Sequence, residues 1–454
     1  MEPRYRDAID NASADLSQAL LADIPQLLEQ GLRLDALVRD ILRAVGLALL
    51  SALYQGLCAY LVEQATARGL TVQSRPLVRF KTLFGEVEME SPYLRSSHSG
   101  ASARPMKDVL GIEGEQYSEA VQRALVDFGI EKSYARATLS FHEHYGWDIG
   151  RTTLRNRTLQ AAQDAETYVD GRLLEATKTY GQDRGAPPAV DTMLLELDGC
   201  EIRTGVYMSA AQAGREDRPA RQRVRVETWR DVRTGLARPL ASKEQRLYVC
   251  RLDAYDEVCE QLFGVACAQG LRPWSHVVVP GDGAKGLREA VLATFPQAQY
   301  ILDHPHLTSH LYDTATALAL EGPERHAWVS DHLDRFWVGE VDQVLETWQA
   351  RQAHTPEERL RQLIDHVTRF ADCVDYGAYH ERGWPLGSGE VESAHRYVPQ
   401  ERLKIAGACW NPDNINPMLA LRVVRANGWW DEFWQWRLDR KQAQIGGVRV
   451  TKDR

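Results

Sequence analysis

Apolar positions along the chain change period twice, and each change marks a different kind of element. Over residues 12–70 they recur at helical spacing: Leu16, Leu20, Leu21, Ile24, Leu27 and Leu28 first, then an apolar run over 37–62 that Gly69 closes. Residues 1–74 are therefore expected to be helical, as a bundle or a dimerisation element. Within 75–112 the period drops to two. Val78, Phe80, Val87 and Met89 alternate with polar residues, which predicts a β-hairpin turning near Phe84-Gly85, with 96–106 as a loop. Helical spacing returns in 113–180 as three segments, 118–128, 133–145 and 152–168, broken at Gly129 and at Gly146-Trp147. The last carries Arg151, Arg155 and Arg157 near its start. A short helix, a glycine-containing turn and an arginine-bearing helix fit a helix-turn-helix DNA-binding region.

Past a polar linker at 181–188 the pattern becomes that of strands. An apolar strand at 193–197 ends in Asp198-Gly199, and 203–208, 223–229 and 246–251 read as further strands. A helix at 254–271 follows, then a buried strand at 276–280 ending in Gly281-Asp282-Gly283, a helix at 285–295, and a strand at 300–302 ending in Asp303. Meandering strands, then helix, strand, helix, strand, is the order of an α/β fold with a ribonuclease H-like mixed sheet, its first part at 185–306. Residues 307–382 read as a helical insertion with Trp328, Trp337 and Trp348 in its core. Helices of the core resume at 383–425. An aromatic helix and a basic tail, with Arg437, Arg440, Lys441, Arg449, Lys452 and Arg454, fill 426–454.

At 454 residues, 44% hydrophobic and 26% charged, the chain has the make-up of a soluble globular protein of more than one domain. MEPRYRDAID lacks the apolar core of a signal peptide. The most apolar stretch, 42–62, is interrupted by Arg43, Gln55 and Gly56, short of a membrane span. Seven scattered cysteines with no CxxC pair predict reduced thiols and a cytoplasmic location, and argue against a zinc ribbon. The net charge of −9 speaks against a protein that coats nucleic acid, but local charge is what a phosphate feels. Between Arg203 and Arg246 there are eleven Lys or Arg against five Asp or Glu. Arg223 and Arg225 share a strand face opposite Val224 and Val226, which predicts a basic ribbon.

Three acids stand out. Asp198 and Asp282 each close an apolar strand beside a glycine, where backbone and ligand approach closely. Glu390 and Glu392 lie in the first turn of a helix that Ser388 can cap. Carboxylates so arranged suit two magnesium ions about 3.5–4 Å apart, one activating a water or 3′-hydroxyl and the other stabilising the leaving oxygen. Residues two apart on a helix point about 200° apart, so Glu390 and Glu392 cannot both serve. Val391, Ala394 and Val398 mark the packed face and set Glu392 beside His395, leaving Glu390 as a solvent-facing charge at the helix start. Arg396, Arg402 and Lys404 follow as candidate contacts to a phosphate backbone, and then an aromatic, Trp410. His142-Glu143-His144 is too compressed for a helical metal pair and reads as surface.

LELDGCEIR, VVPGDGAKGL, YILDHPHLTSHL and GSGEVESAHRYVPQERLKIAGACWNPDNINPMLALRVVR resemble bacterial insertion-sequence DDE transposases of the ISKra lineage, over residues 75–425. The resemblance implies a ribonuclease H-like core with a helical insertion, and Asp198, Asp282 and Glu392 as catalytic metal ligands for Mg²⁺, with Mn²⁺ as a substitute. It implies double-stranded DNA as partner, both element ends and target, and a homodimer or larger assembly on that DNA. Asp303 and His306 match a family Asp-x-x-His in a supporting role. Many relatives carry a cysteine pair after the first hairpin; the matching loop at 95–104 has none, so no zinc is expected there. Three other readings compete: a ribonuclease H-fold nuclease or junction resolvase with the same carboxylates, an inactive DNA-binding derivative, and a hydrolase built on His304, His306 and His310.

Overall fold

The computed structural model describes residues 3–22, 24–29, 31–97, 100–112, 116–182 and 186–444. The chain divides into two compact units. One comprises Met1–Leu125, Ser140–Ile149 and Leu438–Arg454, and the other Val126–Leu139 and Gly150–Arg437.

The first unit opens with α1 (Pro3–Leu21), α2 (Ile24–Glu29) and the long α3 (Leu34–Ala67). Arg43, Gln55 and Gly56 do not interrupt α3. The helical stretch Gly31–Ala67 is long and apolar enough to cross a membrane by length and composition, which corrects the expectation drawn from those three residues. Its C-terminal half buries Cys58, Leu61 and Ala65. After β1 (Thr71–Ser74) come β2 (Leu77–Thr82) and β3 (Gly85–Glu90), the expected hairpin, in register from Leu77↔Glu90 to Thr82↔Gly85. Val78, Phe80, Val87 and Met89 form one apolar core with Cys58 and Leu61 of α3. Gly46 of α3 is required here, because a Cβ would stand 2.5 Å from the Phe84 ring at the hairpin tip. After β4 (Tyr93–Arg95), the segment expected as a loop holds β5 (Ser102–Ala103) and the start of α4 (Pro105–Leu110); β6 (Gln116–Tyr117) then pairs in parallel with β2.

Three helices follow as expected in number: α5 (Glu119–Glu131), α6 (Tyr134–Tyr145) and α7 (Arg151–Thr177). Two details differ. Helix α5 runs through Gly129, which serves close packing and not a break: a Cβ there would lie 2.2 Å from Thr158 Oγ1 on α7. Helix α7 extends nine residues beyond the expected end at 168 and buries Ala161, Ala162, Ala165, Tyr168, Val169 and Leu173. It is a core helix, and exposed arginines are confined to its first two turns.

The second unit is built on a five-stranded sheet of β7 (Thr192–Ser209), β8 (Arg223–Pro239), β9 (Leu247–Arg251), β10 (His276–Gly281) and β11 (Ala298–Leu302), with α8 (Tyr255–Ala268) and α9 (Leu287–Thr294) in the crossovers. The order is β11-β10-β7-β8-β9, with β10 parallel to both β7 and β11 and the β7-β8-β9 meander antiparallel. Strands β7 and β8 pair continuously from Met193↔Pro239 to Ser209↔Arg223, so the expected breaks after 197 and 229 do not exist. Asp198-Gly199 resembles a strand end in sequence, yet both residues sit in the ladder opposite Thr234 and Arg233. One face of the sheet packs on α8, with Met193, Leu195 and Leu197 in the same apolar core as residues of α7.

Helices α10 (His304–Ala317), α11 (Gly322–Trp337), α12 (Val341–His354), α13 (Glu358–Arg369) and α14 (Tyr376–Glu381) form the insertion. Trp348 is buried in its core, Trp328 is partly buried against it, and Trp337 is 39% exposed. The chain returns through α15 (Gly389–His395), a π-helical turn over Arg396–Gln400 that contains Pro399, and α16 (Glu401–Leu403), then α17 (Ile415–Ala426) and α18 (Trp430–Gln444). All seven cysteines are free. Of the basic tail, Arg437 is paired with Asp164 at 2.9 Å and Lys441 with Glu119 at 2.6 Å; Arg449, Lys452 and Arg454 lie outside the described residues.

Candidate active site

Alternation along β7 places Glu196 and Asp198 on one sheet face, the face that α15 covers. Asp198 is mid-strand, its carboxylate partly buried, accepting the Gly199 N–H at 2.7 Å. The buried His395 of α15 sits against it, Nδ1 3.5 Å from Oδ2 and Nε2 3.3 Å from the Asp198 carbonyl oxygen. Burial raises the Asp198 pKa and the charge of Asp282 raises it further, while His395 and His306 oppose the shift. The Asp282 carboxylate is thus near enough for its charge to act on Asp198.

Asp282 follows directly on β10 and its Oδ1 accepts the Ala284 N–H at 2.9 Å, closing a tight turn. Here the flanking glycines act as expected. A Cβ on Gly281 would meet the Tyr300 hydroxyl at 2.3 Å, and Gly283, at φ +78°, would meet His366 at 2.6 Å. Gly199 has no such need, since a Cβ there would find only the Val232 carbonyl at 3.8 Å. Close packing thus requires the glycines beside Asp282 and not the one beside Asp198.

Glu392 is exposed on α15, and among the described residues its carboxylate makes no hydrogen bond or ion pair. Its charge and that of Asp282 both act on His306. Val391, Ala394 and Val398 are fully buried, as the spacing predicts. Glu390 is not the solvent-facing charge expected at the helix start. Arg238, itself buried, holds it through two hydrogen bonds of 2.8 and 3.1 Å, and Arg246 adds an ion pair at 2.9 Å. Of the two glutamates only Glu392 is left available.

Two further acids, Glu196 and Asp303, support this region. Glu196, 1% exposed, accepts the Val391 N–H at 2.7 Å and so fastens the start of α15 to the central strand. Burial is the main cause that pushes its pKa up to about 7. Asp303, after β11, accepts the Ser388 N–H at 2.7 Å and hydroxyl at 2.8 Å, and the His306 N–H at 2.8 Å. These bonds outweigh desolvation and hold Asp303 at about 2, while the Asp303 carboxylate raises His306 to about 9. The LELD alternation offered a signal for Glu196; the bond from Ser388 to Asp303 spans 85 residues and offered none.

The histidine reading loses its geometry. His304 packs edge-on against Tyr376, His306 turns to Asp303, and His310 lies 5.1 Å from the ring of His366. Among the described residues no group of three or more His, Cys, Asp or Glu is gathered closely enough to hold a metal ion. The donor chemistry of Asp198, Asp282 and Glu392, all hard carboxylate oxygens, nonetheless suits a divalent cation.

The candidate phosphate contacts fall into separate places. Arg151 and Arg155 are exposed on the first turns of α7; Arg157 is half-buried and bonds Gln160 at 3.3 Å. Arg223 and Arg225 lie on the outer half of the β7-β8 hairpin, beside the exposed Tyr207 and Trp229. Part of that ribbon's charge is neutralised by Glu227, which pairs with Arg225 at 3.2 Å and accepts from Arg203 Nε at 2.8 Å. Arg396 is exposed, 3.6 Å from Glu401, and Lys404 is exposed. Arg402 must be removed from the surface set: it is 3% exposed, with Nε bonded to the Gly129 carbonyl at 2.9 Å. Helical phase after the π-turn, and not composition, decides this. No protein-family model matches this sequence, and no curated protein does either.

Proposed function

We propose that the protein is a DNA transposase of the insertion-sequence DDE type, with a ribonuclease H-like catalytic core. The observation that carries this reading is the sheet order β11-β10-β7-β8-β9, with Asp198 on its central strand, Asp282 at the carboxyl end of the neighbouring parallel strand, and Glu392 on the helix covering Asp198. Asp198, Asp282 and Glu392 would hold Mg²⁺ or Mn²⁺. Bound there, the metal would lower the pKa of an attacking hydroxyl and stabilise the leaving oxygen at phosphorus. Within the chain, Glu196 and the Asp303–Ser388 bonds keep α15 in place over the strand, and His395 stands against Asp198. Outside that centre, the exposed arginines of α7 and of the hairpin arm would take up the phosphate backbone, and Tyr207 and Trp229 offer aromatic faces beside them.

Purified protein incubated with its own element ends and Mg²⁺ tests the reading. Asp198→Asn, Asp282→Asn and Glu392→Gln are each expected to lower strand cutting by about 10³-fold or more, with little change in folding. Cutting at wild-type rate by either Asn variant would remove the two-metal mechanism. Cleavage without joining would favour the nuclease or resolvase reading.

A further inference from the structure

Between the first turns of α7 and the loop that follows α16 the second unit contains a cavity of about 350 Å³. Arg402 lines it, its guanidinium lying 4.7 Å from the Tyr134 ring and 4.8 Å from the Trp410 ring. Four arginines are buried among the described residues. Arg238 is paired with Glu390, Arg422 with Glu131, and Arg272 donates to the Leu271 and Pro187 carbonyls. Arg402 differs. It forms no ion pair among the described residues, and its Nη2 has no hydrogen-bond partner. The Tyr134 hydroxyl is buried against this guanidinium, so it is turned to Arg402 and supplies no anion. The acid whose charge reaches Arg402, Glu131, is already bonded by Arg422 at 2.6 Å.

A guanidinium withdrawn from water without a counter-anion is held at a cost to stability, and an entering anion would relieve it. The fork of nitrogens matches a phosphate, and Arg155 at the same cavity is a second cation, which suits a dianion. The volume corresponds to about twelve waters at roughly 30 Å³ each, more than an inorganic phosphate fills. Leu159 and Ile405 supply apolar wall, and Asn411 and Asn414 amides that both donate and accept.

We propose that this cavity is a binding site for a phosphate-bearing ligand of nucleotide size, with the Arg402 guanidinium in its wall and Arg155 at its mouth as the two cations that take up the phosphate. The phosphate belongs either to a free nucleotide or to a nucleotide at the end of a DNA strand. The site is distinct from the carboxylate centre, and its occupancy does not depend on strand transfer.

Calorimetric titration of the full chain, without divalent metal and at constant ionic strength, tests it. The probes are a nucleoside 5′-monophosphate, the matching nucleoside, and a short oligonucleotide with and without a 5′-phosphate. The monophosphate or the 5′-phosphorylated strand is expected to bind, and the nucleoside at least tenfold more weakly. Arg402→Met should abolish binding. Ala406→Glu, an exposed wall position, should weaken it at least tenfold even if the buried substitution impairs folding. Binding of the monophosphate alone assigns a free nucleotide, and binding of the phosphorylated strand alone assigns a DNA end. Absence of binding at millimolar concentration, or unchanged binding in Ala406→Glu and in folded Arg402→Met, overturns the proposal.

Discussion

Glu196 shows how one buried acid joins elements far apart in the chain. Its carboxylate bonds the Val391 N–H, 195 residues away, and burial raises its pKa from 4.5 to about 7. A carboxyl whose folded pKa lies above its unfolded value contributes stability fully at pH below 4.5 and loses it as pH rises through about 7. Metal-free wild-type protein is therefore expected to lose on the order of 2–3 kcal/mol from this source across that window. Glu196→Gln keeps an acceptor for Val391 and has no charge to bury. Denaturant unfolding at pH 5 and pH 8 should show a flatter pH profile for the variant, and at pH 8 a stability at least equal to wild type. Parallel profiles for the two proteins would mean that Glu196 is not the source.

At the scale of elements, α3 leaves an apolar seam uncovered. Val38, Leu42, Val45, Leu49, Ala52, Gly56 and Ala59 follow the 4-3 spacing of a heptad repeat, and all seven are exposed. An a/d seam of this kind is complementary to its own copy, which supports the expected homodimer. Leu42→Glu with Leu49→Glu puts charges at two a positions about 10 Å apart on the helix. Sedimentation is expected to shift from dimer to monomer in the double variant, with the hairpin core of Val87 and Met89 undisturbed. A wild-type protein that is monomeric at tens of micromolar, yet floats with lipid vesicles, would assign the seam to a membrane surface. The π-turn at Arg396–Gln400 belongs to this scale too. Across it Arg396 faces solvent and Arg402 is buried, where composition alone had grouped them with Lys404.

For the whole molecule, a net charge of −9 and a DNA partner are compatible only if basic groups are segregated. The first turns of α7 and the outer half of the β7-β8 hairpin are two such places. Binding of duplex DNA should then fall steeply with salt. Arg151→Ala with Arg155→Ala, and separately Arg223→Ala with Arg225→Ala, should each reduce the slope of log K against log salt by about one to two. A mobility-shift series at four salt concentrations reads this directly. Unchanged slopes in both pairs would move the DNA contact to other surfaces.

Much of the secondary structure was legible in the sequence because its cause is local. Apolar periods of two and 3.6 lie within a few residues of each other, and they located the β2-β3 hairpin, β10, β11 and α15. Asp282 was legible for the same reason, since Gly281 and Gly283 announce a turn that admits no side chain on either flank. Asp198-Gly199 has the same local look and a different fate. Only pairing with Thr234 and Arg233, across a hairpin, makes it mid-strand. Glu390 and Glu392 differ by which of them meets Arg238, 152 residues from Glu390, and Arg402 is buried by contact with Gly129, 273 residues away. Sequence by itself determined the elements and the kinds of acid they carry. Tertiary structure alone decided which charges are buried, paired or left free, because desolvation and ion pairing depend on neighbours in space that periodicity along the chain does not encode.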